Sequence, residues 1–217
     1  LARVGVLGGS FNPIHYGHLL LADEVVETLG LDRLLFVPAA SPPHKPASQL
    51  APAPDRCEMV RLAIADHPKF AVSDIELQRP GPSYTADTLE ILAAGGDELF
   101  YVVGSETFLD LLTWRDPRRV ARLARLVVIP RAGSPFDVES AAAQKVLRDI
   151  GVPGGFVTDL RGGVPARGVL IVHATSLPLS ASELRRRIRA GLSLSFRMPP
   201  AAIAYVRARG LYRAETA

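Results

Sequence analysis

Cysteine is almost absent: Cys57 is the only one in 217 residues. A single thiol excludes an intramolecular disulfide and any metal site built on a Cys-x-x-Cys pair. It is expected to act as a small buried hydrophobe on a helix. Lysine is also scarce, with Lys45, Lys69 and Lys145 the only three among 25 basic residues. Plentiful Ala, Gly, Pro and Arg make the codon bias of a GC-rich genome a better explanation than thermal adaptation. Nor is there a strong excess of charge. The 25 basic and 22 acidic residues leave +3, too little to argue for a nucleic-acid partner. No apolar run approaches the roughly 18 residues that span a bilayer, and no signal-peptide pattern is visible. A cytoplasmic protein without a membrane partner is therefore expected. The chain opens on Leu1 rather than Met, so its start is expected to be missing.

What is present is the composition of a globular protein, 48% hydrophobic and 22% charged, long enough to bury a real core. Short apolar runs at 3–7, 33–38, 69–74, 98–104, 125–130 and 168–173 read as strands covered on both faces. Helical patterns lie between them, at 18–29, 55–66, 85–94, 105–112, 117–124 and 138–149. The alternation predicts an α/β fold with an open, mainly parallel, Rossmann-like sheet and helices on both faces. The Gly/Pro-rich stretch 151–168 reads as an irregular excursion. Two helices, about 180–190 and 199–209, form a small basic C-terminal appendage. The expectation is a single domain over 1–217, with a core to about 176 and a helical part from about 177.

The string "GGSFNPIHYGHL", residues 8–19, directly follows the first strand, at the edge where parallel sheets bind ligands. Gly8 and Gly9 allow close backbone approach and positive φ, followed by Ser10 and Phe11. A helix starting near Gly17 would turn its positive end to an anion, with His15 and His18 on one face of its first turn. Together these make a phosphate site. The string is neither GxxxxGK[ST] nor GxGxxG, and a zinc site would lack a third ligand at suitable spacing. Near the C-terminus, "LSASELRRR" offers Ser180 or Ser182 as a helix cap, with Arg185 facing back towards it. An ordinary capped helix with solvated arginines explains that segment equally well when it is taken alone. The "RRRIR" run at 185–189 lacks interleaved aromatics, which argues against nucleic acid. Trp114, the only tryptophan, follows the fourth strand and reads either as a ring platform or as half-buried packing.

"GGSFNPIHYGH" resembles the GG(S/T)F(D/N)PxHxGH signature of the nucleotidyltransferase superfamily. "FVPAASPPHKP" (36–46), "SYTADTL" (83–89), "YVVGSETFLDLLTWRDP" (101–117) and "LPLSASELRRRI" (177–188) resemble, in order, segments of the bacterial nicotinate mononucleotide adenylyltransferases. The resemblance implies adenylyl transfer from ATP to nicotinate mononucleotide in NAD biosynthesis, with Mg²⁺ carried by the ATP phosphates and no metal site on the protein. It implies an ATP site of Gly8, Gly9, Ser10, Phe11, His15, His18, Ser180, Ser182 and Arg185. On the acceptor side it implies His44, Lys45, Tyr84, Thr85, Glu106, Trp114 and Arg115, with Trp114 stacked on the pyridine ring. Catalysis would fall to His15, His18, Arg185 and Lys45. Three positions depart from the pattern. Ala181 replaces a Ser, Ser182 replaces a Thr, and Glu106 stands one methylene longer than the family's ribose-binding Asp. A homo-oligomer is left open. The rival readings are a sister transferase with another phosphorylated acceptor, and a nucleotide-sensing module without turnover.

Overall fold

The computed structural model describes residues 1–42, 46–131, 133 and 136–213. Seven strands form one sheet: β1 Arg3–Gly9, β2 Arg33–Pro38, β3 Phe70–Val72, β4 Glu98–Gly104, β5 Arg125–Ile129, β6 Phe156–Val157 and β7 Val169–Ile171. Every pairing is parallel, in the order β3-β2-β1-β4-β5-β7-β6. The helices are α1 Tyr16–Leu29, α2 Ala53–Ala63, α3 Thr85–Ala93, α4 Ser105–Leu109, α5 Pro117–Leu123, α6 Ala141–Ile150, α7 Ala181–Arg189 and α8 Pro200–Ala208.

The apolar runs alternate strictly between two cores, as side chains with a period of two must. Leu34, Phe36, Phe100, Val102, Val127 and Leu170 meet Val25, Val26, Met59, Val60, Leu184 and Val206 of α1, α2, α7 and α8. Val4, Val6, Leu99, Tyr101, Leu126 and Val128 meet Leu89, Phe108, Val120 and Val146 of α3, α4, α5 and α6. The apolar character on both strand faces thus has one cause, a helical layer on each side of the sheet. Gly5 is required by packing, since a Cβ there would stand 2.8 Å from Leu31 Cδ1. No helix among the described residues is long and apolar enough to cross a membrane.

Two features correct the sequence reading. The stretch 151–168 is not wholly irregular: Phe156 and Val157 add β6 beside β7, pinned by Phe108 and Phe136 ring contacts from distant elements. The helix expected at 105–112 ends at Leu109 and gives way to a 3₁₀ turn, Leu111–Thr113. The C-terminal helices also merge with the first core. Buried Asp55 of α2 accepts from Tyr205 Oη at 2.7 Å and Arg209 Nε at 3.0 Å, tying α8 to α2.

The register opens the sheet where the strand order reverses. The β1–β2 ladder runs to Gly9↔Pro38, whereas the β1–β4 ladder stops at Val6↔Tyr101. Beyond Val6 the backbone of β1 is uncovered on its β4 side. That is the crevice in which open α/β sheets bind ligands.

Candidate active site

Gly8 and Gly9 are the last residues of β1, and neither has a positive φ; the left-handed residue is Phe11, at 43°. The glycines supply space instead. A Cβ on Gly9 would stand 3.1 Å from the Phe11 ring, which folds back onto the strand and is 2% exposed. The loop is anchored on several sides. Asn12 Nδ2 donates to Gln49 O at 2.8 Å, and its Oδ1 accepts from Ala51 N at 3.0 Å. Arg185 Nη1, from α7, donates to Asn12 O at 2.8 Å.

The two histidines open α1. His15 is its N-cap residue, and the rings stack with centroids 3.8 Å apart. His15 N donates to His18 Nδ1 at 3.3 Å. A backbone amide can only donate, so this Nδ1 carries no proton and His18 bears its hydrogen on Nε2. His15 is 6% exposed, and burial lowers its pKa to about 4. His15 is therefore a neutral single donor at pH 7, and His18 presents Nε2–H. Part of the amide supply expected at this helix start is already used: Tyr16 N donates to Arg197 O at 3.0 Å and His18 N to His15 O at 2.9 Å.

The depressed His15 pKa predicts an acid-limb loss of stability. Above pH 6.5 the ring is neutral folded and unfolded, and it contributes nothing. Between pH 6.5 and about 4 only the unfolded chain takes up the proton, so stability falls by about 1.4 kcal/mol per pH unit. The loss levels off near a total of roughly 3 kcal/mol. Urea titrations at pH 7 and 4.5 should show wild type losing about 2–3 kcal/mol more than His15→Gln. Parallel loss in both proteins would remove His15 as the cause.

His15 and His18 line a cavity of about 490 Å³ together with Gly9, Ser10, Ser180 and Ala181. Ser180 is the cap of α7, its Oγ accepting from Glu183 N at 3.2 Å; exposed Ser182 lies 3.2 Å from it, hydroxyl to hydroxyl. Two helix N-termini, α1 and α7, thus wall one polar cleft. Arg185 stands behind the loop, on the Asn12 carbonyl, rather than on the cavity wall. Glu106 and Arg131 face this same cavity and pair at 3.3 Å.

A second cavity, about 650 Å³, lies on the α3 side and is lined by Tyr84, Thr85, Trp114, Arg115, Tyr101 and Glu76, among others. α3 starts at Thr85 with Tyr84 as N-cap, and no side chain caps it. Asp87 N already donates to Tyr84 O at 3.1 Å, so Thr85 N and Ala86 N are the amides that lack the acceptor Ser, Asp or Asn would bring. Arg115 lies 4.6 Å over the Tyr84 ring and 3.9 Å from Asp87. Half-buried Trp114 meets Tyr101 edge to face at 6.3 Å. Tyr101 Oη lies 3.4 Å from Thr85 Oγ1, and burial pushes its pKa up to about 12. The two cavities share Gly9, Ser10, Gly104 and Thr107 as a common wall.

The cytidylyltransferase-like family model matches residues 6–187, from the middle of β1 into α7. The chain belongs to the cytidylyltransferase-like family. Its curated relatives in that family include a probable nicotinate-nucleotide adenylyltransferase of Roseiflexus sp. (strain RS-1), 39% identical over 213 residues that cover 98% of each chain. One of the same name from Thermus thermophilus is 40% identical over 213 residues, covering 97% of this chain and all of the relative. In fold, the chain is similar to a Plasmodium falciparum nicotinic acid mononucleotide adenylyltransferase complexed with NaAD, with a TM-score of 0.73, 18% identity and 98% coverage of both.

For a cytidylyltransferase-like protein, the motif residues are well gathered. His15, His18, Gly9, Ser10, Phe11 and Ser180 share one cavity, and Tyr84, Thr85, Trp114 and Arg115 share the other. Gly8 lines the second cavity, and Ser182 is on neither wall. His44 and Lys45 lie outside the described residues. Sequence reasoning missed Asn12, Arg56, Tyr101 and Thr107. Asn12 stood inside the quoted string and could have been singled out as a loop anchor. An arginine in the middle of a helical pattern and a tyrosine inside an apolar strand carry no such signal.

Proposed function

We propose that this chain transfers the adenylyl group of ATP to nicotinate mononucleotide, giving nicotinate adenine dinucleotide and pyrophosphate, in keeping with the name its relatives carry, probable nicotinate-nucleotide adenylyltransferase. The observation that carries the reading is the shared wall. A polar cleft suited to a triphosphate and a mixed aromatic–polar cavity suited to a pyridine mononucleotide meet at Gly9, Ser10, Gly104 and Thr107. The acceptor's phosphate oxygen and the α-phosphorus meet at that wall. A phosphate monoester is already a competent nucleophile, so an in-line attack expels pyrophosphate without a covalent enzyme intermediate. Catalysis consists of positioning two anions and stabilising the extra charge of the transition state.

His18 Nε2–H and the neutral His15 ring donate to the α- and β-phosphates, while the positive ends of α1 and α7 add potential. Arg185 holds the Asn12 carbonyl from behind the loop, and the family pattern assigns it to the triphosphate. Lys45 and His44 are assigned to substrate phosphate by the family pattern. Glu106 offers its carboxylate to a ribose hydroxyl near the shared wall. On the acceptor side, Thr85 and the uncapped start of α3 receive the nicotinate carboxylate, and Trp114 stacks on the ring. Mg²⁺ arrives with ATP as part of the substrate. Among the described residues no group of three His, Cys, Asp or Glu could hold a metal, and a metal carried by phosphates and water needs none. Pyrophosphate release from ATP plus nicotinate mononucleotide tests the reading; a folded protein that binds ATP without turnover would reduce it to nucleotide sensing.

Arg185→Lys is expected to cost about tenfold or more in kcat/KM for ATP, because an ammonium cannot reproduce the guanidinium geometry that holds the Asn12 carbonyl behind the loop. Arg186→Lys and Arg187→Lys should stay near wild type. Arg186 is bound by Glu183 at 2.6 Å and Arg187 by Ser193 O at 2.8 Å. Equal losses at all three would mean that only bulk charge counts.

A further inference from the structure

One side chain holds the phosphate loop from behind. Arg56, on α2, is 1% exposed. Its guanidinium donates to three main-chain oxygens: Ser10 O at 2.8 Å, Ala51 O at 2.8 Å and Ala40 O at 3.4 Å. Ser10 follows β1, Ala40 follows β2 and Ala51 precedes α2, so one fork ties together three segments at the ligand-binding edge. Among the described residues Arg56 makes no ion pair, and its hydrogen bonds go to carbonyl dipoles.

A charge buried in this way is costly, and apolar replacements of buried ionic groups are often neutral or stabilising. Stability alone is therefore a poor reason for an arginine here. Its position relative to the loop offers a better one. The Ser10–Phe11 peptide is trans, which sets its C=O and N–H on opposite sides of the chain. Pinning the Ser10 carbonyl to Arg56 turns the Phe11 amide away from Arg56, and Phe11 is one of the residues that line the cavity. The Phe11 φ of 43° is one that a phenylalanine does not adopt unaided. Arg56 on Ser10 O and Arg185 on Asn12 O hold the chain on either side of it.

We infer that Arg56 is a positioning residue for adenylyl transfer: it fixes the Ser10–Phe11 peptide so that the Phe11 amide faces the triphosphate, and it sets a positive charge behind the loop. This rests on the reading of the smaller cavity as the ATP site. Arg56→Lys keeps the charge but loses the fork. At saturating substrates its kcat should fall about ten- to hundredfold, as misplacement of reacting groups by an ångström does, with the KM for nicotinate mononucleotide changed less than about twofold. Asp55→Asn is the control. It loosens the neighbouring buried contact of the same helix with α8, and should lower Tm while leaving kcat unchanged. A kcat for Arg56→Lys equal to that of Asp55→Asn would make Arg56 merely structural and overturn the inference.

A second measurement needs no variant. In the wild-type backbone spectrum, inorganic tripolyphosphate should shift the Phe11 amide and slow its exchange, and a Phe11 amide that does not respond overturns the inference even if Arg56→Lys does not fold. Wild type that releases no pyrophosphate sinks the proposed reaction, while the Phe11 titration still decides the role of Arg56. Turnover with a silent Phe11 amide sinks the inference alone.

Discussion

His18→Ala is expected to lower kcat by about 10²–10³ while changing either KM far less, the usual cost of losing one preorganised donor to developing charge. Three contacts among the described residues help to set the ring. The His15 amide fixes its Nδ1 as an acceptor at 3.3 Å, His15 stacks on one face at 3.8 Å, and Phe11 meets it edge-on at 5.2 Å. None of these needs the substrate, so Nε2–H is aimed before ATP arrives and little reorganisation is left for the transition state. Alanine keeps the helix, because α1 is held by Ala22, Val25, Val26 and Leu29 in the core, so the variant should fold. Steady-state pyrophosphate release checks the split between kcat and KM. Near-normal turnover would remove His18 from the mechanism, and a large KM effect with kcat intact would make it a ground-state binder only.

Wild type should favour nicotinate over nicotinamide mononucleotide by roughly a hundredfold in kcat/KM. The two differ only in a carboxylate against an amide. The uncapped start of α3 presents donors and the positive end of a dipole, which a carboxylate satisfies and an NH₂ group cannot. Each donor left unpaired costs about 1–3 kcal/mol, so one or two mismatches reach that ratio. Glu76 on the same wall works against an anion. Its Oε1 accepts from Thr88 Oγ1 at 2.7 Å, and Arg79, bonded to that same hydroxyl, offsets its charge. Trp114→Ala should weaken both acceptors about tenfold, since a ring stack reads the pyridine and not its substituent. Their ratio should stay within about threefold. Equal use of acid and amide by wild type would overturn the acceptor assignment while leaving adenylyl transfer standing.

Most strands and helix starts were legible because their causes are local. Continuous apolar runs mark strands covered on both faces. Ser180 caps α7, as short polar residues before apolar-periodic stretches do, whereas the Ser140 cap, accepting from Ala143 N, starts α6 at Ala141 rather than at the expected 138. β6 was not legible. A two-residue strand has no periodicity, and it exists because Phe156 fits between Phe108 and Phe136.

The site divides in the same way. The sequence by itself determined that a glycine-rich turn ends the first strand, that two histidines open the next helix, and that a tryptophan lies at the same edge. Each follows from residue type and from spacing along one element. Only the tertiary structure decided that Gly8 and Gly9 make room rather than turn the chain, that Phe11 takes the left-handed angle, and that burial lowers the His15 pKa to about 4. It alone brought Arg56 to Ser10, 46 residues away, and Arg185 to Asn12, 173 residues away. Contacts at such separations depend on which helix packs on which face of the sheet, and no local pattern along the chain encodes that choice.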